Sequence, residues 1–182
     1  MTPLARFLFD ENTGAPFVAL LKRIAELDRR HPCEIGHTIE LFGRAAKDRE
    51  WVPKLGKSNW IVVSEDRGKN SASGDKLPVL CLQHGITHVL VLPSLLRNGG
   101  QFEKLRALLA VWPRMLDLVG TPKGSRWRLK YANSFRTQFH LERSEPGSRR
   151  GKRGKRRGRS SPPSSPSGTG TGQLSLGIDI VP

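Results

Sequence analysis

Trp60-Ile61-Val62-Val63-Ser64-Glu65-Asp66 is the stretch whose reading decides the fold. Its apolar run is continuous rather than alternating, as in a strand buried on both faces, and it stops at two acids. The run from Leu4 to Phe9 does the same and stops at Asp10-Glu11-Asn12. Between the two, Phe17, Leu20, Leu21, Ile24 and Leu27 recur at helical spacing after Thr13-Gly14, with Lys22, Arg23, Arg29 and Arg30 largely on the other face. This predicts a helix ending near His31-Pro32. Residues 34–42 read as a second strand and Asp48 to Gly56 as a short helix. Further on, the pattern predicts a helix from Gly74 to His84 and a strand from His88 to Leu92. An amphipathic helix follows from Gln101 to about Leu118, kinked near Pro113. Ser125 to Glu142 alternates around Trp127, Leu129 and Tyr131 and again around Phe135, Thr137 and Phe139, as a hairpin or edge addition would. Helices alternating with doubly apolar strands define an α/β fold, with a mostly parallel central sheet covered on both faces.

The 182 residues hold 31 Lys and Arg against 16 Asp and Glu, a net charge of +15 and a pI near 10.9. Such a surface draws polyanions, nucleic acid first. No apolar stretch approaches the roughly 20 residues of a spanning helix, and the N-terminus lacks a signal-peptide pattern, so a soluble, cytoplasmic protein without a membrane partner is expected. Composition turns to Gly, Ser, Pro and Arg near Pro146, dividing the chain into a folded domain over 1–144 and a disordered basic tail over 145–182. The tail holds eight basic and two acidic residues, so the folded part keeps +9 of the +15. Cys33 and Cys81 lack the spacing of a zinc site and read as reduced, buried thiols.

In an open α/β sheet the ligand crevice lies beyond the carboxyl ends of the strands, where Asp10 and Asp66 fall. Asp48 and Glu50, in the first turn of the short helix, can face the same crevice. Clustered carboxylates repel unless a cation neutralises them, and Mg²⁺ or Mn²⁺ prefers such oxygen ligands while leaving positions open for phosphate. That is equipment for phosphodiester hydrolysis. The plainer reading is that each acid is a turn residue or helix cap, a role for which Asp48 is well placed.

Phe7-Leu8-Phe9-Asp10-Glu11-Asn12, then Asp48-Arg49-Glu50-Trp51-Val52-Pro53-Lys54-Leu55-Gly56, then Trp60-Ile61-Val62-Val63-Ser64-Glu65-Asp66-Arg67 together resemble the PIN-like domains of VapC-type toxins, over about residues 4–118. The resemblance implies a three-layer α/β/α fold and a Mg²⁺- or Mn²⁺-dependent endoribonuclease paired with a cognate antitoxin. Asp10, Asp48 and Asp66 match the family's acidic positions as catalytic residues and metal ligands, with Glu50 and Glu11 as further ligands and Glu65 as a neighbour. Around a helix Asp48 and Glu50 stand about 200° apart, so both cannot point straight into the crevice. The family often has a second acid two residues after the third, where this chain has Gly68; Asp75 is the nearby substitute.

Arg67, Lys69 and Lys76 are candidate phosphate contacts. Asn12 and Asn70 read as water or substrate positioning groups, or as turn residues. Trp51 and Trp60 read as core. Arg126, Arg128, Lys130 and Arg136 interleave with Trp127, Tyr131 and Phe135, which is either a single-strand RNA surface or a strand with one wet, basic face. The tail run Arg149 to Arg159 would add salt-sensitive RNA affinity, and the alternation from Gln173 to Val181 would suit a strand docked on a sheet edge. The helix from Gln101 carries Phe102, Leu105, Leu108, Leu109, Val111, Trp112 and Leu116, enough for a core face or for an antitoxin segment or second copy in a homodimer. Three functions remain open: a ribonuclease toxin, an RNA-binding module without cleavage, and a protein-interaction module whose acidic pocket takes a basic peptide.

Overall fold

In the computed structural model, β1 (Ala5–Phe9) lies second from one edge of a six-stranded sheet of order β2-β1-β3-β4-β5-β6. The described residues are 4–56, 58–66, 76–133 and 138–144. β2 (Cys33–His37), β3 (Trp60–Ser64), β4 (Thr87–Val91) and β5 (Arg126–Tyr131) run parallel to their neighbours, and β6 (Phe139–Arg143) closes the sheet antiparallel to β5. The expected hairpin addition is therefore present at one edge.

The chain leaves β1 for β2 on one side and then passes over β1 to β3 on the other. This reversal opens a crevice at the carboxyl ends of β1 and β3. Two apolar cores flank the sheet. On one face, Phe7, Phe9, Ile61, Val63, Val89 and Val91 pack against α1 (Ala15–Leu27) and α5 (Pro93–Leu116). On the other, Leu8, Trp60 and Val62 pack against α3 (Asp48–Leu55) and α4 (Leu77–Gln83). Every residue of β3 is buried, as its unbroken apolar run required. Trp51 and Trp60 are core residues.

Several expectations need correction. The strand expected over 34–42 stops at His37, and Thr38–Phe42 forms the one-turn helix α2. The helix expected from Gln101 is present, and a shorter helix from Pro93 precedes it, the two forming α5 across a kink. Its interruption is at Gly100, whose φ of 59° and ψ of −143° only glycine adopts without strain, and not at Pro113. On α1 the buried face is Phe17, Val18 and Leu21, whereas Leu20 and Leu27 are exposed, and the helix stops at Leu27. There Asp28 Oδ1 accepts hydrogen bonds from the backbone N–H groups of Arg30 and His31 and turns the chain. On α5, Leu108 and Val111 are core while Phe102 and Leu109 are exposed. Cys81 is buried and Cys33 half-buried, and both are free thiols. Among the described residues no helix is long and apolar enough to cross a membrane. Residues 145–182, including the basic run and the alternating end of the chain, lie outside the described residues.

Candidate active site

Asp10 follows β1 directly, and its N–H extends the β1–β3 ladder by one hydrogen bond, 3.0 Å to the carbonyl of Val63. That bond holds it beside the end of β3. Its Oδ1 accepts from the N–H of Glu11 at 2.8 Å, capping a single turn of 3-10 helix over Glu11–Thr13, and its Oδ2 accepts from Asn12 Nδ2 at 3.0 Å. The capping role and a functional role thus fall on one carboxylate, which is fixed at both oxygens. Asn12 acts as its anchor.

Asp10, Asp48 and Asp66 line one pocket of about 140 Å³, together with Glu11, Asn12, Thr38, Gly43, Ala46 and Trp51. Asp48 opens α3, and the buried Trp51 one turn later stacks on Phe42 of α2 with ring centroids 5.7 Å apart. This packing keeps the start of α3 over the crevice. Glu50 is exposed and does not line the pocket, as the angular separation of the two acids requires. Glu11 lines it, but its Oε2 accepts from the N–H of Ala45 at 3.2 Å and ties down the loop before α3. The end of β3 is pinned sideways: Ser64 Oγ and His88 Nε2 lie 2.9 Å apart in a buried hydrogen bond.

Burial chiefly raises the Asp10 carboxyl above its ordinary range; the Asn12 and Glu11 hydrogen bonds oppose this, and the charges of Asp66 and Glu11 add to it. Asp48 is pushed up to about 6, by burial first and then by the charges of Asp10 and Asp66. The three carboxylates therefore feel one another, and a cation placed among them would relieve the repulsion.

Two contributors were not legible as site residues. Lys104 of α5 is fully buried, with its ammonium paired to Glu65 and 4.5 Å from the centre of the Phe17 ring. Burial disfavours its charge and lowers the ammonium below its ordinary range, opposed by the Glu65 hydrogen bond and by the charges of Glu65 and Asp10. The sequence signal was a lysine on the apolar face of a helix, in line with Ala107, Leu108 and Val111. Thr38 is the other: its Oγ1 is buried with no hydrogen-bond partner among the described residues, although the residue lines the acidic pocket. The neighbouring His37 is buried with both ring nitrogens similarly unpartnered.

The donor chemistry suits a hard divalent ion, being all carboxylate oxygen with one orphaned hydroxyl on the wall. Among the described residues no three His, Cys, Asp or Glu side chains are drawn together closely enough to hold an ion by themselves. Mg²⁺ does not require that, since it is usually held by one or two carboxylates and keeps several waters. Arg67, Lys69, Asn70, Asp75 and Gly68 lie outside the described residues. Lys76 precedes α4, and Arg126 and Arg128 lie on β5, away from the pocket lining.

Residues 5–73 match a family model described as PIN like domain. This match, which spans β1 to the segment after β3, supports a PIN-like domain with a nuclease-type fold. No curated protein and no solved structure gives a significant match to the chain.

Proposed function

We propose that this chain is a Mg²⁺- or Mn²⁺-dependent endoribonuclease, the toxin of a VapBC-type pair, which hydrolyses RNA phosphodiester bonds in the pocket of Asp10, Asp48 and Asp66. One observation carries the reading: acids from three separate elements share one pocket at the crevice of a PIN-like segment. Asp10, Asp48 and Asp66 would hold the ion, with Glu11 at the rim. When bound, the ion would neutralise the scissile phosphate and activate water for in-line attack. The chain's own groups do the rest. Asn12 and the Glu11 N–H fix the Asp10 carboxylate in one orientation. The Thr38 hydroxyl offers a hydrogen bond to water or a phosphate oxygen in the pocket. Lys104 neutralises Glu65 behind the site, leaving the front acids for the ion and substrate. On this reading the antitoxin would act by placing a basic segment in the acidic pocket.

The test is cleavage of single-stranded RNA with Mn²⁺. Asp10→Asn and Asp66→Asn should each lose at least about a hundredfold in rate, in the range typical of removing a major transition-state contact. Full activity in either variant would sink the proposal. A second reading, an RNA-binding PIN-like module without cleavage, is favoured by the spacing of the acids, which share the pocket yet do not, among the described residues, form a group of three able to hold an ion by themselves. It would show RNA binding indifferent to chelator and no cleavage.

A further inference from the structure

The two faces of the β5–β6 hairpin differ in chemistry. Leu129 and Leu141 belong to the core shared with α5, and Trp127, Tyr131 and Phe139 pack against that same core. Arg126, Arg128 and Lys130 alternate with them along β5 and so stand on the opposite face, where Glu142 is registered with Arg128 and His140 with Lys130. The interleaved aromatic and basic residues are thus sorted onto two faces, and no aromatic platform accompanies the cations. α5 packs on the α1 side of the sheet, and among the described residues the apolar α3–α4 core does not extend over the hairpin. No buried residue of the α3–α4 core comes from β5 or β6.

Among the described residues this face carries three cations and one acid. Glu142 is taken by Lys130, 2.6 Å from its ammonium. The Nε atoms of Arg126 and Arg128 are buried and have no hydrogen-bond partner among the described residues. Guanidinium donors left unpaired are costly, and a partner rich in acceptors at these half-buried side chains would offset that cost. Burial, followed by repulsion from Arg128, disfavours the charge on Arg126. In register, Arg128 lies level with Leu90 and Ser64, and Ser64 is two residues before Asp66. Two strand spacings separate β3 from β5, roughly 10 Å. A stacked nucleic-acid strand covers that in about three nucleotides.

We propose that the basic face of β5–β6, centred on Arg126 and Arg128, holds the backbone phosphates of single-stranded RNA beside the segment lying in the acidic pocket. The identity of the polyanion rests on the nuclease reading. The contact is with phosphate alone, since the aromatic side chains turn to the other face, and it is therefore indifferent to base sequence.

The experiment titrates full-length protein into a fluorescent single-stranded RNA of mixed sequence, in EDTA, across a range of KCl concentrations. Arg126→Ala/Arg128→Ala should weaken binding at least about tenfold and reduce the slope of log affinity against log salt by about 1.4, two phosphates at roughly 0.7 each. Arg126→Lys/Arg128→Lys should restore most of both, which separates lost charge from lost folding. The proposal is overturned if the alanine variant binds RNA within twofold of wild type with the same slope, including the case where it instead loses affinity for poly-glutamate. If the alanine variant loses binding as described while wild type with Mn²⁺ fails to cleave, the nuclease reading fails and the RNA-binding face stands.

Discussion

Replacing Lys104 with Met removes a cation built into the back of the acidic site. Its side chain is fully buried and that of Glu65 is 14% exposed, so the substitution leaves a mostly buried carboxylate without its partner. Breaking a buried pair from one side costs about 3–5 kcal/mol. Glu65 can turn partly toward solvent, which places the cost near the lower end, at about 3 kcal/mol. At roughly 3 to 4 °C per kcal/mol for a domain of this size, the metal-free protein should melt about 10 °C lower. Glu65 would then join Asp10, Asp48 and Asp66 as an unneutralised acid, so saturating Mn²⁺ should raise the Tm of Lys104→Met by more than it raises that of wild type. The assay is thermal unfolding with EDTA and with Mn²⁺ for wild type, Lys104→Met, Glu65→Gln and the double variant. The double variant should be more stable than the two single losses added together. Additive losses, or a Lys104→Met protein within about 0.5 kcal/mol of wild type, would refute the role given to the pair.

Other expectations follow from single features. The Asp48 carboxyl, raised to about 6, is more protonated in the folded than in the unfolded chain between pH 4 and 6, so its penalty grows through that window and is complete above it. Metal-free Asp48→Asn should therefore exceed wild type in urea unfolding at pH 7.5 by about 1–2 kcal/mol, a value discounted for partial exposure, and the gain should vanish near pH 4. His88 is held neutral, down to about 3, by burial and then by Arg126, so the folded state takes up fewer protons than the unfolded state below pH 6.5. It costs about 1.4 kcal/mol per pH unit on acidification, and His88→Asn should flatten that limb in acid-unfolding curves. At Gly36, a Cβ would stand 3.0 Å from the Trp60 ring and 3.2 Å from Leu8, so Gly36→Ala should lose about 1–3 kcal/mol in chemical denaturation. Thr38→Val removes an unpaired hydroxyl and should leave Tm nearly unchanged while slowing RNA cleavage.

Strands buried on both faces write themselves plainly into a chain, which is why Trp60–Ser64 was readable to its ends and β1 to within a residue. The acids that follow them were readable for the same reason, because a strand's carboxyl end in an open α/β sheet is a place before it is a residue. Thr38–Phe42 was not. Five residues are too few to develop helical periodicity, and Ile35, His37, Ile39 and Leu41 imitate a strand's alternation through the helix. The break at Gly100 is real, so the helix read from Gln101 starts where it should, whereas the shorter helix before it, from Pro93, was not read. Lys104 and Thr38 were missed because their importance lies in distant contacts: one reaches Glu65 across 39 residues, and the other borders acids from three elements. The segment Arg126 to Tyr131 announced its alternation, but only the packing of α5 reveals which side joins the apolar core.

The most direct measurement is anomalous scattering from crystals of the full chain soaked in Mn²⁺. The account predicts a peak in the pocket bounded by Asp10, Asp48 and Asp66, lost in Asp10→Asn/Asp66→Asn crystals. A saturating soak that leaves this pocket without a peak, or a peak that persists unchanged in the double variant, would contradict it.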